Sequence, residues 1–251
     1  MNARRIALLT DFGTADPYVA SMKGVIASRT DTAIFDLSHE IAPQDVFGAA
    51  WFLGTCERWW PAATIFVAVV DPGVGTARRI VALMRDDKVF LAPDNGLLTF
   101  VCGRAVARSV ENASLFLVEG SSTFHGRDRF ALVAAALANG TPFETLGPEV
   151  GEIVRLDYER GMIVAVDRFG NAITDLEPPA GRFALRIGDV TIDRVCRTYE
   201  EGGDTPFLIA GSSGLIEISV RNGSAADALR LHRGDRVKIV TSASRDARAA
   251  T

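Results

Sequence analysis

FVAVVDPGVGTARR, residues 66–79, decides the fold. Residues 64–70 are apolar or β-branched throughout, which suits a central parallel strand covered on both faces. Pro72, Gly73 and Gly75 then break the strand, and the glycines let backbone N–H groups approach a ligand closely. Asp71 therefore stands at the carboxyl end of a central strand, where open α/β sheets place their sites. Arg78 follows within reach of a folded-back loop. An acid and a guanidinium at a strand mouth form a candidate site, and an ion pair closing a turn explains the same two residues equally well.

Working outward, residues 5–10 read as a short apolar strand ending at Asp11-Phe12-Gly13. Helical spacing over 17–29 follows, with Asp16 as N-cap and Pro17 at the first helical position. Residues 32–37 are a second strand ending in Ser38-His39. Residues 44–60 are a second helix with Phe47, Trp51 and Phe52 on its apolar side. This βαβαβ order predicts a parallel, Rossmann-like sheet with right-handed crossovers. Downstream, 80–85 and 89–92 read as a hairpin turning at Asp86-Asp87, 93–96 as a turn, and 97–103 as a short helix. An alanine-rich helix over 127–139 follows the segment 122–125.

After residue 151 short strands recur between glycine-containing turns: 162–167, 183–187, 190–195, 207–210, 215–220 and 236–241. That spacing predicts a small antiparallel barrel or sandwich. The division falls between residues 151 and 161. The expectation is an α/β chain: an N-terminal α/β domain, 1–156, with a mainly parallel sheet, and a smaller C-terminal antiparallel β-barrel domain, 157–251. Residues 243–251 read as a frayed tail.

At 251 residues and 48% hydrophobic, the chain can bury a sizeable core. Its net charge of −4, without a basic run, argues against a nucleic-acid partner. Cys56, Cys102 and Cys196 are scattered without metal spacing and suit a reducing, cytoplasmic compartment. The apolar run 6–9 meets Asp11 too early for a signal peptide, and no segment approaches a membrane span.

Neither GxGxxG nor GxxxxGK[ST] occurs in the first sheet, which disfavours a dinucleotide or ATP while leaving a nucleoside open. Asp11 could accept from both hydroxyls of a ribose, or simply cap the turn before the next helix. His125, beside Gly126 before a helix, is the histidine best placed to face a ligand. His39 suits a satisfied turn residue, and His232 lies among arginines near the tail. In the second domain, Asp167-Arg168-Phe169-Gly170-Asn171 could stack on and read a purine, or be an ordinary turn.

Seven motifs in register carry a resemblance: Thr10-Asp11-Phe12-Gly13, Met22-Lys23-Gly24, Asp36-Leu37-Ser38-His39, Asp71-Pro72-Gly73-Val74-Gly75-Thr76, Pro93-Asp94-Asn95-Gly96-Leu97-Leu98, Phe124-His125-Gly126-Arg127-Asp128 and Phe169-Gly170-Asn171. In these the chain resembles the S-adenosyl-L-methionine (SAM) hydroxide adenosyltransferases, the SAM hydrolases related to fluorinase and chlorinase. The resemblance implies a homotrimer whose sites lie between one subunit's first domain and a neighbour's second domain. It implies that Asp71, Arg78 and His125 form a water-handling triad and that Asp11 binds the ribose diol. Phe124 would also line the substrate site, and Phe169 and Asn171 would hold adenine. Asp167, Ser212 and Glu217 would hold the methionine end, with backbone at Val220 and Asn222 near the adenine. Arg129, Leu132, Asp175 and Arg221 depart from the family's usual residues.

The implied reaction is attack of water or hydroxide on C5′ of SAM, giving adenosine and L-methionine without metal or cofactor. The alternatives are a chlorinase-type halogenase and a nucleoside or SAM sensor without turnover. Halogenating relatives carry tyrosine where this chain has Asp71, and a carboxylate repels halide. Gly126 is compatible with a chlorinase, whereas the short 86–88 turn lacks the insertion typical of the fluorinase.

Overall fold

The computed structural model describes residues 4–241. It is a mixed α/β structure with several sheets, and the chain divides into two compact units between Leu156 and Asp157. The expected tail, 243–251, lies outside the described residues.

The N-terminal unit runs β1 (Arg5–Thr10), α1 (Tyr18–Ala27), β2 (Ala33–Ser38), α2 (Val46–Cys56), β3 (Thr64–Val69), β4 (Ile80–Arg85), β5 (Lys88–Pro93), β6 (Val106–Ser109) and α3 (Ala131–Ala138). Its six strands form one sheet in the order β2-β1-β3-β5-β4-β6. The pairs β2-β1, β1-β3 and β3-β5 are parallel, while β4 runs antiparallel to both its neighbours. The sheet is therefore mixed. β4 and β5 are joined by Asp86 and Asp87 at φ 49° and 59°, the paired left-handed conformations of a two-residue hairpin turn.

Alternation along the strands sends side chains to two cores. Ile6, Leu8, Ile65, Val67 and Val69 pack with Met22 and Ile26 of α1 and with Phe130, Ala131, Val133, Ala134 and Ala135 around α3. Ala7, Leu9, Phe66, Ala68 and Val70 pack with Ala49 and Leu53 of α2 and with Leu97 and Leu98. Every residue of β3 is buried, because both faces are covered. From β1 the chain crosses to β2 on one side, and from β3 it continues to β4 and β5 on the other. The carboxyl ends of β1 and β3 thus flank the point where the winding reverses, and Asp11 and Asp71 follow those two ends.

Several expectations need correction. Pro17 is itself the N-cap of α1 rather than its first residue, and no side chain caps that end. In α2 the fully buried residues are Ala49, Ala50 and Leu53; Phe52 is half-buried and packs against that core as expected, whereas Phe47 and Trp51 are half-buried outside it. Small side chains are what allow that helix to approach the sheet, and the rings of Phe47 and Trp51 meet Phe100 edge-on instead. The segment 97–103 forms turns rather than a helix. A π-helical turn, Gly126–Phe130, precedes α3.

The C-terminal unit contains β7 (Ile163–Val166), β8 (Ala172–Thr174), β9 (Phe183–Ile187), β10 (Val190–Ile192), β11 (Val195–Cys196), α4 (Tyr199–Gly202), β12 (Phe207–Ala210), β13 (Ile216–Ser219), α5 (Ala225–Leu229) and β14 (Val237–Thr241). The expected closed barrel is absent among the described residues. The strands form a three-stranded sheet, β10-β9-β14, and a five-stranded sheet, β11-β12-β13-β8-β7. Pairing is antiparallel except at β11-β12. Leu185 and Val237 from one sheet share an apolar cluster with Ile163, Leu208 and Ile218 from the other. The strand expected over 190–195 is split into β10 and β11, which belong to different sheets.

Candidate active site

Three of the residues singled out in the sequence meet at the carboxyl end of β3. Arg78 Nε donates to Asp71 Oδ1 at 2.8 Å and Oδ2 at 2.9 Å, and its Nη2 also donates to Oδ2. The same Nη2 lies 2.9 Å from His125 Nδ1. The side chains of Asp71 and Arg78 are only 5% and 10% exposed, and His125 is buried. The guanidinium also rests 5.8 Å from the centroid of the Phe130 ring.

Local chemistry builds this arrangement. Gly75 has φ +79°, and a Cβ there would sit 2.6 Å from the Ser122 carbonyl oxygen. Glycine thus lets the 71–78 loop press against the segment that leads to His125. Asn95 Nδ2 donates to the Val70 carbonyl at 2.9 Å, tying the 93–96 turn to the residue before Asp71. Asp94 accepts from Arg79 Nε at 2.8 Å and from Val154 N at 2.7 Å, holding that turn in place. The sequence marked this segment as a turn, but not as the brace of Asp71.

An arginine side chain only donates, so His125 Nδ1 must accept and the ring proton sits on Nε2. Burial disfavours the charged ring, and the Arg129 and Arg78 charges add to that, holding His125 below its ordinary pKa of 6.5. Asp71 and Asp128 oppose the shift without reversing it. The imidazole is neutral at neutral pH, in agreement with the hydrogen bond.

Asp11 Oδ2 accepts from Gln44 N at 2.8 Å, in the loop that leads into α2, whereas no side chain caps the start of α1, the helix that follows it. Phe124 meets Phe12 and Tyr18 edge-on at 6.1 and 5.2 Å, those two rings lie tilted 5.8 Å apart, and Arg127 is stacked on the face of Phe124 at 5.0 Å. Burial opposes the charge on Asp128, but bonds from Arg127 and Ser121 N outweigh it and keep its carboxyl below the usual range.

In the C-terminal unit, Asp167 organises the Phe169-Gly170-Asn171 turn. Its Oδ1 accepts from Phe169 N and Asn171 N, both at 2.9 Å, and its Oδ2 accepts from Asn171 Nδ2 at 2.8 Å. Phe169 is 78% exposed, whereas Asn171 is buried. Gly170, at φ +83°, packs so closely on Ser224 that a Cβ would approach its Oγ to 2.2 Å. Glu217 is buried on β13 and accepts from the Tyr199 hydroxyl at 3.0 Å. Burial pushes the Glu217 carboxyl up, the Tyr199 bond partly offsets this, and Asp167 adds to the rise. Burial and the Glu217 bond push Tyr199 up to about 12. Tyr199 escaped notice in the sequence, since nothing local distinguishes it from any surface tyrosine. Ser212 lies on the turn between β12 and β13, while Val220 and Asn222 frame a tight turn in which Gly223 N bonds the Val220 carbonyl at 3.3 Å and Asn222 takes φ 55°. Among the described residues, no group of three or more His, Cys, Asp or Glu side chains is placed to hold a metal ion.

Residues 6–147 match the model of the SAM hydroxide adenosyltransferase N-terminal domain, and residues 161–238 match that of the C-terminal domain. A protein of Thermus thermophilus named (R)-S-adenosyl-L-methionine hydrolase is 40% identical, over 94% of this chain and 100% of its own length. A protein of Salinispora arenicola with the same name is 37% identical, over 93% of this chain and 97% of its own. The crystal structure of an uncharacterized conserved protein from Thermotoga maritima superposes with a TM-score of 0.87 at 33% identity, covering 94% of this chain and 100% of that one. The chain belongs to the SAM hydroxide adenosyltransferase family.

Proposed function

We propose that this chain hydrolyses S-adenosyl-L-methionine to adenosine and L-methionine, with water or hydroxide attacking C5′ of the ribose. The observation that carries the reading is the bonded series Asp71, Arg78 and His125 at the mouth of a fully covered strand. The C5′–S bond breaks, its electron pair stays on sulfur, the C5′–O bond forms, and the surplus water proton leaves to solvent. Methionine departs as a neutral thioether, so no general acid is required. The scarce reactant is the nucleophile, because bulk water has a pKa near ~15.7.

Arg78 favours hydroxide character at its side, and the neutral His125 offers an Nε2–H donor to hold it. In this reading the histidine serves first as a donor, since Nδ1 is engaged by Arg78. Asp71 fixes the guanidinium and repels halide. Positioning alone can supply roughly 7–11 kcal/mol.

In this reading Asp11 takes the ribose diol and Phe124 lines the pocket. Phe169 stacks on adenine while Asn171, oriented by the bond from its Nδ2 to Asp167, accepts from the adenine amino group through Oδ1. Asp167, Ser212 and Glu217 receive the methionine end, with Val220 and Asn222 backbone near the base. We read the N-terminal unit as Rossmann-like and the two sheets of the C-terminal unit as an open, barrel-like pair. The enzyme is a cytoplasmic homotrimer, and each site draws on two subunits. Water and substrate balance the reaction, so no cofactor enters it. Among the described residues no helix is long and apolar enough to cross a membrane.

The test is chromatography of the full chain incubated with SAM, with and without chloride. Equal amounts of adenosine and methionine are expected in both. A 5′-chloro-5′-deoxyadenosine product would move the protein to the halogenases, and binding without turnover would make it a sensor.

A further inference from the structure

His39 is buried, and no step of the proposed reaction uses it. Its Nε2 lies 2.9 Å from Asp36 Oδ1 and its Nδ1 2.8 Å from Thr10 Oγ1. The other oxygen of Asp36 accepts from Lys23 Nζ at 2.6 Å. Asp36 is a carboxylate and only accepts, so His39 Nε2 donates to it. In the tautomer with one ring proton, the Thr10 hydroxyl then donates to Nδ1. Thr10 closes β1, and its Oγ1 also accepts from Phe12 N at 3.2 Å. The His39 carbonyl accepts from Gly13 N at 2.7 Å. One residue beyond β2 thus grips the chain on both sides of Asp11, by side chain at Thr10 and by main chain at Gly13.

We propose that His39 is a positioning residue for nucleoside recognition: clamped between Asp36 and Thr10, it fixes residues 10–13 and so aims the Asp11 carboxylate at the ribose diol. The proposal rests on the reading of Asp11 as the diol ligand. The series Thr10, His39, Asp36 has the composition of a nucleophile triad, but Thr10 is fully buried and its hydroxyl is taken up by His39 and Phe12 N. What the network delivers is geometry. A carboxylate must be oriented to accept from two hydroxyls at once, and among the described residues the Asp11 side chain is otherwise tethered from the α2 side, through Gln44 N on Oδ2. That leaves Oδ1 dependent on the path of its own loop.

The experiment compares calorimetric binding of adenosine and 2′,3′-dideoxyadenosine to the full chain and its variants. The wild type is expected to prefer adenosine, and Asp11→Ala to lose that preference. His39→Ala is expected to cut the preference about tenfold, the scale of one charge-assisted hydrogen bond. It should leave dideoxyadenosine affinity unchanged, raise KM for SAM more than it lowers kcat, and add nothing further in the Asp11→Ala background. His39→Asn, which retains an acceptor toward Thr10, should restore part of the preference. If Asp11→Ala keeps the full preference, the diol reading itself fails. If Asp11→Ala loses it while a folded His39→Ala keeps it, or weakens both nucleosides equally, the positioning role is overturned. Should His39→Ala not fold, Thr10→Val cuts the same link at nearly constant volume: loss of the preference supports the proposal, and its retention overturns it.

Discussion

The six-stranded sheet carries a buried acid held by basic side chains at each end, and the two differ instructively. At the amino end of β3, Glu57 accepts from Arg85 Nη2 at 2.6 Å and from Lys88 Nζ at 3.0 Å. Lys88 also donates to the Glu57 carbonyl at 2.6 Å. Both cations come from the β4-β5 hairpin, and the acid pairs with both at the turn that leads from α2 toward β3. At the carboxyl end, Asp71 is held by a single cation from its own loop, and that cation reaches on to a neutral histidine. The first arrangement ends at the exposed Asp86, 3.5 Å from Arg85 Nε, a buried donor that makes no hydrogen bond among the described residues. The second has an imidazole N–H still to give and lies beside the winding reversal of the sheet. Burial, ion pairing and an unpartnered donor do not separate a clamp from a site; strand polarity and the neutral imidazole that the cation reaches do.

The largest expected effect breaks the carboxyl-end arrangement. Asp71→Ala and His125→Ala should each lower turnover by at least about a hundredfold, the lower end of what a placed proton-handling group contributes. Circular dichroism should show both folded, and near wild-type adenosine release in either would remove it from the catalytic set.

Glu57→Ala should do the reverse. It strands two mostly buried cations, and about 3 kcal/mol of stability should be lost in urea unfolding. Turnover per folded molecule should not change. A variant as stable as wild type, or one folded but inactive, would erase the contrast between the two ends.

A smaller effect concerns pH. The folded His125 titrates below 6.5, so between its folded value and 6.5 the unfolded chain binds more protons. Stability should therefore fall as pH drops through this window, and His125→Gln should show a shallower fall than wild type. Parallel slopes in denaturant titrations at a series of pH values would contradict a depressed histidine.

Much of this was legible in the sequence because it depends on local chemistry. The uninterrupted run of β3, the glycines after Asp71 and the Asp86-Asp87 turn each state their conformation directly. Short elements were not legible. β6 and β8 are strands of four and three residues, without a period long enough to read, and exist through pairing with β4 and β13. The apolar run 97–103 has helical composition, yet Thr99 Oγ1 donates to the Gly96 carbonyl at 2.6 Å and accepts from Leu156 N at 2.8 Å, which suits turns. At the site, Asp71, Arg78 and His125 stood out as residue types. The bond from Arg78 that sets the histidine tautomer did not, because it joins positions 47 apart in the chain. His39 looked like a turn residue, and only the register of β1 beside β2 reveals what its ring holds.

Attack at C5′ is tested most directly by running the reaction in oxygen-18 water and weighing the nucleoside by mass spectrometry. Adenosine should carry one heavy oxygen at its 5′ carbon, because the bond broken is C5′–S and the oxygen gained comes from solvent. Saturating chloride should leave that product unchanged. Unlabelled adenosine, or a chlorinated nucleoside in its place, would contradict water attack at C5′.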